Sequence, residues 1–400
     1  MAIDMNVGAA GSSFRGRRPR IIYLVTEDWY FWSHRLPVAR AARDAGFDVA
    51  VATRVDAHGE RIAAEGFRVH AINWRRRGAG LADLQAIWQI AALYRRERPD
   101  IVHHVALKPV LYGAAAARMS GTPAMVSAIT GLGHAFVDES PGTRGIRTGV
   151  TATLRVLLRR PQDVVLLQNP DDVELVVSSG IAPRSRTRLI PGSGVDTEFF
   201  RPLPEPTGPV VCALVSRMLS SKGIETAVAA VRLLRSRGHD ICLHLAGDPD
   251  PANPASISVA QLRAWDTEHG ITWFGHVEDV REVWRSAHIG LLPSLREGLP
   301  KSLLEAAACG RPLVAADVPG SREIVRQGLT GLLVPPGDVA AWAEALLALA
   351  NNPGLRRRYG LAARQLVERE LSATRVGEQT LAIYGELLQG IAPGNKAWRD

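Results

Sequence analysis

Short β-rich runs alternate with helix-forming stretches along the whole chain, a pattern produced by parallel α/β sheets and not by all-α or all-β folds. The first half offers strands at 21–26, 48–53, 68–72, 100–105, 124–130, 163–168 and 187–190. The second offers them at 210–216, 241–247, 271–275, 289–294, 312–317 and 330–335. Helical patterns such as 33–45, 81–96 and 224–237 lie between them. That is too many strands for one open doubly wound sheet, so the pattern predicts two Rossmann-like domains. The segment FFRPLPEPTGP (199–209) has the composition of a linker. The expected plan is a basic arm (1–19), a first domain (20–200), a linker (201–209), a second domain (210–370) and a C-terminal helix from 371 that crosses back to the first.

Charge is unevenly spread. Residues 1–200 carry 26 basic and 19 acidic side chains and residues 201–400 carry 22 and 21, so the excess of +8 sits almost wholly in the first half. A basic half attracts anions such as phosphorylated substrates or an anionic membrane surface. Cys212, Cys242 and Cys309 lie in apolar runs without metal-ligand spacing and read as buried free thiols in a reducing compartment. The first 19 residues lack the apolar core of a signal peptide, and no uncharged apolar run is long enough to span a bilayer. The expected location is cytoplasmic.

In parallel sheets ligands bind where strand ends lead into helix N-termini. After the first strand of each half stand TEDWYFWSH and SRMLSSKG, so neither a glycine-rich dinucleotide loop nor a P-loop is present. Three other constellations carry chemistry. Arg217 and Lys222-Gly223, ahead of a helix, offer a planar fork, a point charge and a helix dipole to one anion. PSLREGLPKSLLEAAACG (293–310) places Glu297 in a loop and Glu305 two turns into the next helix, a spacing suited to gripping two parts of an extended ligand. Gly298, Leu299, Pro300, Lys301 and Ser302 between them form a helix start whose free N–H groups, on every one of these residues but Pro300, are open to ligand oxygens. In DVPGSREIVRQGLTGLLVPPGD (317–338), Gly320-Ser321 opens a helix at a further strand end. Asp248-Pro249-Asp250 resembles a metal-binding Asp-x-Asp but reads as a turn.

Taken in order, these motifs resemble those of family 4 retaining glycosyltransferases, over about 370 residues. The resemblance implies the GT-B fold, two Rossmann-like domains with parallel sheets facing a central cleft. It implies that Arg217 and Lys222 bind the donor diphosphate without a metal or other cofactor, and that Gly223 and the 298–302 backbone line the donor. Glu297 would contact the transferred sugar, Glu305 the ribose hydroxyls, and His276 and Val277 a uracil base. EDWYFWSHRLPVARAARDAGFDV (27–49), HHVALKP (103–109), ITGLGHAFVDE (129–139) and LIPGSGVD (189–196) look like bacterial enzymes that extend undecaprenyl-diphosphate-linked sugars, such as those adding N-acetylgalactosamine to lipid-linked diacetylbacillosamine. These imply acceptor contacts from His34, His103, Lys108, Gly131, Gly133 and His134. Trp29 and Tyr30 stand where many relatives have paired glycines.

The partners then expected are a UDP-sugar, a polyprenyl-diphosphate-linked acceptor and an anionic bilayer, with no nucleic acid. In 143–161, Arg147, Arg155 and Arg159 collect on one helix face, and Leu154 and Leu158 lie among aliphatics on the other. That pattern suits peripheral docking at the inner face of the cell membrane. The rival reading is a sugar-nucleotide epimerase sharing the fold.

Overall fold

A computed structural model describes residues 17–74, 81–130 and 141–392. The chain divides into two compact units, Met1–Ser193 with Val376–Asp400, and Gly194–Arg375. The first unit holds strands β1 (Arg20–Glu27), β2 (Asp48–Arg54), β3 (Arg68–Ala71), β4 (Ile101–Val105), β5 (Ala124–Ala128), β6 (Asp163–Leu167) and β7 (Thr187–Leu189). They form one parallel sheet in the order β3-β2-β1-β4-β5-β6-β7. The second unit holds β8 (Val210–Val215), β9 (Ile241–Ala246), β10 (Ile271–Trp273), β11 (Ile289–Leu292), β12 (Leu313–Ala316) and β13 (Gly331–Val334), parallel in the order β10-β9-β8-β11-β12-β13.

Each sheet is covered on both faces, so its central strands are mostly buried and largely apolar. In β1, Ile22 and Leu24 enter one buried cluster with the helices Leu81–Glu97 and Leu107–Ser120, while Ile21, Tyr23 and Val25 enter another. This is the two-residue alternation of a strand. The second cluster includes Val376, Ile383, Tyr384 and Leu387 of the last helix, Ala373–Gly390. The Tyr384 hydroxyl bonds the Tyr23 hydroxyl at 2.9 Å and His103 Nδ1 at 2.5 Å.

Local differences from the sequence reading have physical causes. The stretch 33–45 is two helices, Asp28–His34 and Leu36–Asp44. Pro37 has no N–H to continue the first helix and sits in the opening turn of the second. The proline-rich segment 199–209 is no free linker but is bound along the second unit. Leu203 N–H donates to Cys309 O (3.1 Å), Arg311 Nη2 donates to Pro204 O (2.8 Å), and Arg356 pairs with Glu205. The sequence places the linker at 201–209, whereas the units part at Ser193–Gly194. Proline prevents ladder pairing, but carbonyls remain to accept bonds. Cys212 and Cys309 are buried, and Cys242 is half-buried.

Candidate functional site

In each sheet the chain winds outward in both directions from one adjacent pair of strands: β1 and β4 in the first unit, β8 and β11 in the second. Loops leaving the carboxyl ends of such a pair diverge and leave a crevice. In the second unit this is where Lys222 and Glu297 lie. Lys222 ends a 3₁₀ turn, Ser220–Lys222, after β8, and Gly223 caps the helix Ile224–Ser236 with φ +71°. A Cβ on Gly223 would stand 2.1 Å from the Pro293 carbonyl oxygen, so the loop after β11 approaches as closely as it does only because residue 223 is glycine. Leu295 N–H closes the contact on Ser221 O at 3.0 Å. The loop after β12 joins them, since a Cβ on Gly320 would lie 2.1 Å from Gly298 O.

That packing sets the side chains. Lys222 Nζ meets Glu297 Oε1 at 2.5 Å, with both groups largely covered. Arg217 Nη1 donates to Asp250 Oδ2 at 2.9 Å; the arginine is 45% exposed, the aspartate 7%. Glu305 is buried in the helix Lys301–Ala308, and Lys301 Nζ stands 3.2 Å from its carboxylate. Burial raises the Glu305 pKa, and Lys301 offsets part of that rise. Pro300 stands at the N-cap of this helix and makes no side-chain cap bond. His276 is exposed, 3.8 Å from Asp248, and Val277 packs on the buried cluster beneath.

Asp250, the partner of Arg217, is not marked by the sequence, because an Asp-Pro-Asp string reads as a turn until its partner is known. Two buried hydroxyls, Ser294 and Ser321, sit at the ends of the same loops; among the described residues, none bonds them. The sequence signal for both was their place at a strand end and a helix start. Arg217, Lys222 and the uncapped helix together can hold an anion and stabilise charge developing on a leaving group. Glu297, paired to Lys222, and Glu305, paired to Lys301, are carboxylates able to accept hydroxyl hydrogen bonds.

The first unit places the expected acceptor residues as follows. His103 lies within β4, buried, stacked on Tyr23 at 5.1 Å and bonded to Tyr384. Burial, then the nearby Arg35 and His104, hold its pKa well below the ordinary histidine value, as expected of a side chain packed inside the sheet. Lys108 is 2.7 Å from Asp83 and lies over the Tyr112 ring. His34 is half-buried, stacked on Tyr30 at 4.2 Å with Ser33 Oγ 2.6 Å from its Nδ1. Gly131, Gly133 and His134 lie outside the described residues.

The amphipathic helix is Pro141–Leu157, shorter than 143–161. Leu154 and Leu158 are fully buried in the first unit's core, so they are not available to a bilayer. Arg155 Nε donates to Ser179 O at 2.7 Å. Arg159 is exposed and Arg147 half-buried, while Ile146 and Val156 are exposed aliphatics. Among the described residues no helix is long and apolar enough to cross a membrane.

Comparison with known proteins gives this geometry a family. The family described as Glycosyl transferases group 1 matches residues 209–352, and Glycosyl transferase 4-like matches residues 20–168. EpsD of Bacillus subtilis is 27% identical over 381 residues, 91% of this chain and 96% of its own. The N,N'-diacetylbacillosaminyl-diphospho-undecaprenol alpha-1,3-N-acetylgalactosaminyltransferase of Campylobacter jejuni is 21% identical, over 84% of this chain and 91% of its own. Among solved structures, Anabaena Alr3699/HepE in complex with UDP and glucose superposes with a TM-score of 0.75 at 16% identity, covering 91% of this chain and 98% of that one. Two parallel sheets with their crevice loops, and family matches over both, make this chain a family 4 glycosyltransferase of the GT-B fold.

Proposed function

We propose that the protein transfers an N-acetylhexosamine, with retention of anomeric configuration, from a UDP-sugar to a saccharide on undecaprenyl diphosphate. The observation that carries the donor half is the Lys222–Glu297 contact, on the loop after β8 that also carries Arg217, at the point where the second sheet reverses its winding. Cations and a carboxylate brought together there match a substrate with an anionic diphosphate and a hydroxylated sugar side by side. The acceptor half is supported by the Campylobacter jejuni relative and by the Escherichia coli UDP-Gal:alpha-D-GlcNAc-diphosphoundecaprenol alpha-1,3-galactosyltransferase, 22% identical over 68% of this chain.

In this mechanism Arg217 and Lys222 take up the charge that grows on the departing diphosphate, the role a metal ion plays in other transferases. Glu297 orients the sugar. Glu305 receives the ribose hydroxyls, and its burial strengthens those bonds by excluding water. Replacing Arg217 or Lys222 by alanine is expected to slow transfer at least about a hundredfold, and activity is expected to survive EDTA.

A carrier-linked acceptor stays in the bilayer, so the enzyme must reach it there. The exposed Ile146 and Val156, with Arg144, Arg147 and Arg159 on the same short segment, suit shallow contact with anionic headgroups. The test is incubation with radiolabelled UDP-sugars and a bacterial lipid extract. Label passing into the organic phase supports the reading. Epimerised nucleotide with no transfer would replace it by the isomerase alternative.

A further inference from the structure

Arg217 stands on a loop with nearly half its side chain in solvent, and a free arginine there has many rotamers. Its orientation is set by a second loop, 248–257, which follows β9. The two are joined by backbone bonds: Met218 N–H to Asp248 O (2.9 Å), Ser220 N–H to Ala255 O (2.8 Å) and Ile257 N–H to Met218 O (2.9 Å). Within the second loop the Asp250 N–H donates to Ser256 Oγ at 2.9 Å. The Asp250 carboxylate is thus a buried, fixed point, and Arg217 Nη1 is bonded to it. The guanidinium has five N–H donors, so one edge can be held while another faces an anion.

We propose that Asp250 is the positioning residue of the donor site: it holds Arg217 so that the free edge of its guanidinium meets the diphosphate of a nucleoside-diphosphate sugar. This rests on the diphosphate reading of the site. By charge alone an acid at this place opposes an anionic ligand, so positioning and repulsion predict opposite signs when the carboxylate is removed. In this role Asp250 acts on the ligand through the arginine.

The experiment measures UDP and uridine affinity by calorimetry for the parent, Asp250→Ala, Asp250→Asn, Arg217→Ala and the Arg217→Ala/Asp250→Ala double variant. Asp250→Ala is expected to lose UDP affinity about tenfold or more, the scale of one charge-assisted hydrogen bond. Uridine affinity is expected to be unchanged, because uridine has no phosphate. Asp250→Asn keeps an oxygen acceptor and is expected to restore most of the loss. In the Arg217→Ala background the Asp250 change is expected to add almost nothing, since residues acting through one another are not additive. The proposal is overturned if Asp250→Ala binds UDP as well as the parent or better. It is equally overturned if uridine affinity falls in step, or if the loss is as large without Arg217. A parent protein that binds UDP no better than uridine would instead sink the diphosphate reading itself.

Discussion

Gly223→Ala isolates what close loop packing contributes to the donor site. At φ +71° an alanine is in the left-handed region, which costs about 1–2 kcal/mol. Its Cβ would also stand 2.1 Å from Pro293 O, so the loop after β11 must retreat by at least about 1 Å to regain ordinary contact. The retreating loop carries Glu297, whose carboxylate lies 2.5 Å from Lys222 on the other side of the glycine. Misplacing a substrate-orienting group by about 1 Å costs on the order of a hundredfold in rate. Gly238→Ala is the control, because Gly238 has φ +85° and nothing within 4 Å of the added Cβ. Both variants pay the backbone strain, and each kcal/mol lowers Tm by about 2–4 °C in a unit of this size. Only Gly223→Ala is expected to lose transfer activity, by about a hundredfold in kcat/KM. Measuring Tm and kcat/KM on the pair decides the matter. A Gly223→Ala enzyme with parental kcat/KM, or a Gly238→Ala enzyme equally disabled, would refute the packing argument.

Glu297→Ala is expected to abolish transfer with UDP affinity nearly intact. Glu305→Ala should weaken UDP itself by about 1.5–3 kcal/mol, one hydrogen bond to a charged group; both are read by calorimetry beside a transfer assay. Asp163 has its pKa raised to about 6 by burial, against the opposing pull of Arg118. Between its ordinary value near 4 and about 6 the folded state binds the extra proton, so this contribution to stability is full at the acid end and is lost as pH rises. The Tm of the parent minus that of Asp163→Asn should therefore fall between about pH 4 and pH 7, and a flat difference would contradict the assignment. Sedimentation with anionic liposomes should show binding that weakens with salt and is lost when Arg144, Arg147 and Arg159 become glutamate; equal binding by that variant would discard this surface.

Much of this was legible because parallel sheets write themselves into sequence. β4, β5 and β6 are buried on both faces and appear as short runs rich in β-branched and small residues between helical stretches. Arg217, Lys222, Glu297 and Glu305 were legible as strand-end and helix-start residues, since the position of a polar group relative to a strand is local information. What stayed hidden depends on contacts distant in sequence. His103 and Tyr384 are 281 residues apart, and nothing local distinguishes a histidine bonded in the core from one facing a ligand. Leu154 and Leu158 show the same limit: amphipathicity tells which helix face is apolar, not whether protein or lipid covers it. Arg217 and Asp250 belong to loops after neighbouring strands, and only the β8–β9 pairing puts them side by side.

The helix Ala373–Gly390 has a consequence for how the protein is made. Chains emerge from the ribosome N-terminus first, and domains fold as units. The second unit is continuous and has all its residues once Arg375 is out. The first unit is interrupted: its sheet is synthesised early, but one side of β1 stays without Val376, Ile383 and Leu387, and Tyr23 and His103 without the Tyr384 hydroxyl, until the last residues appear. The half translated first is thus the half completed last. During that interval this apolar face of the sheet lacks the helix that covers it.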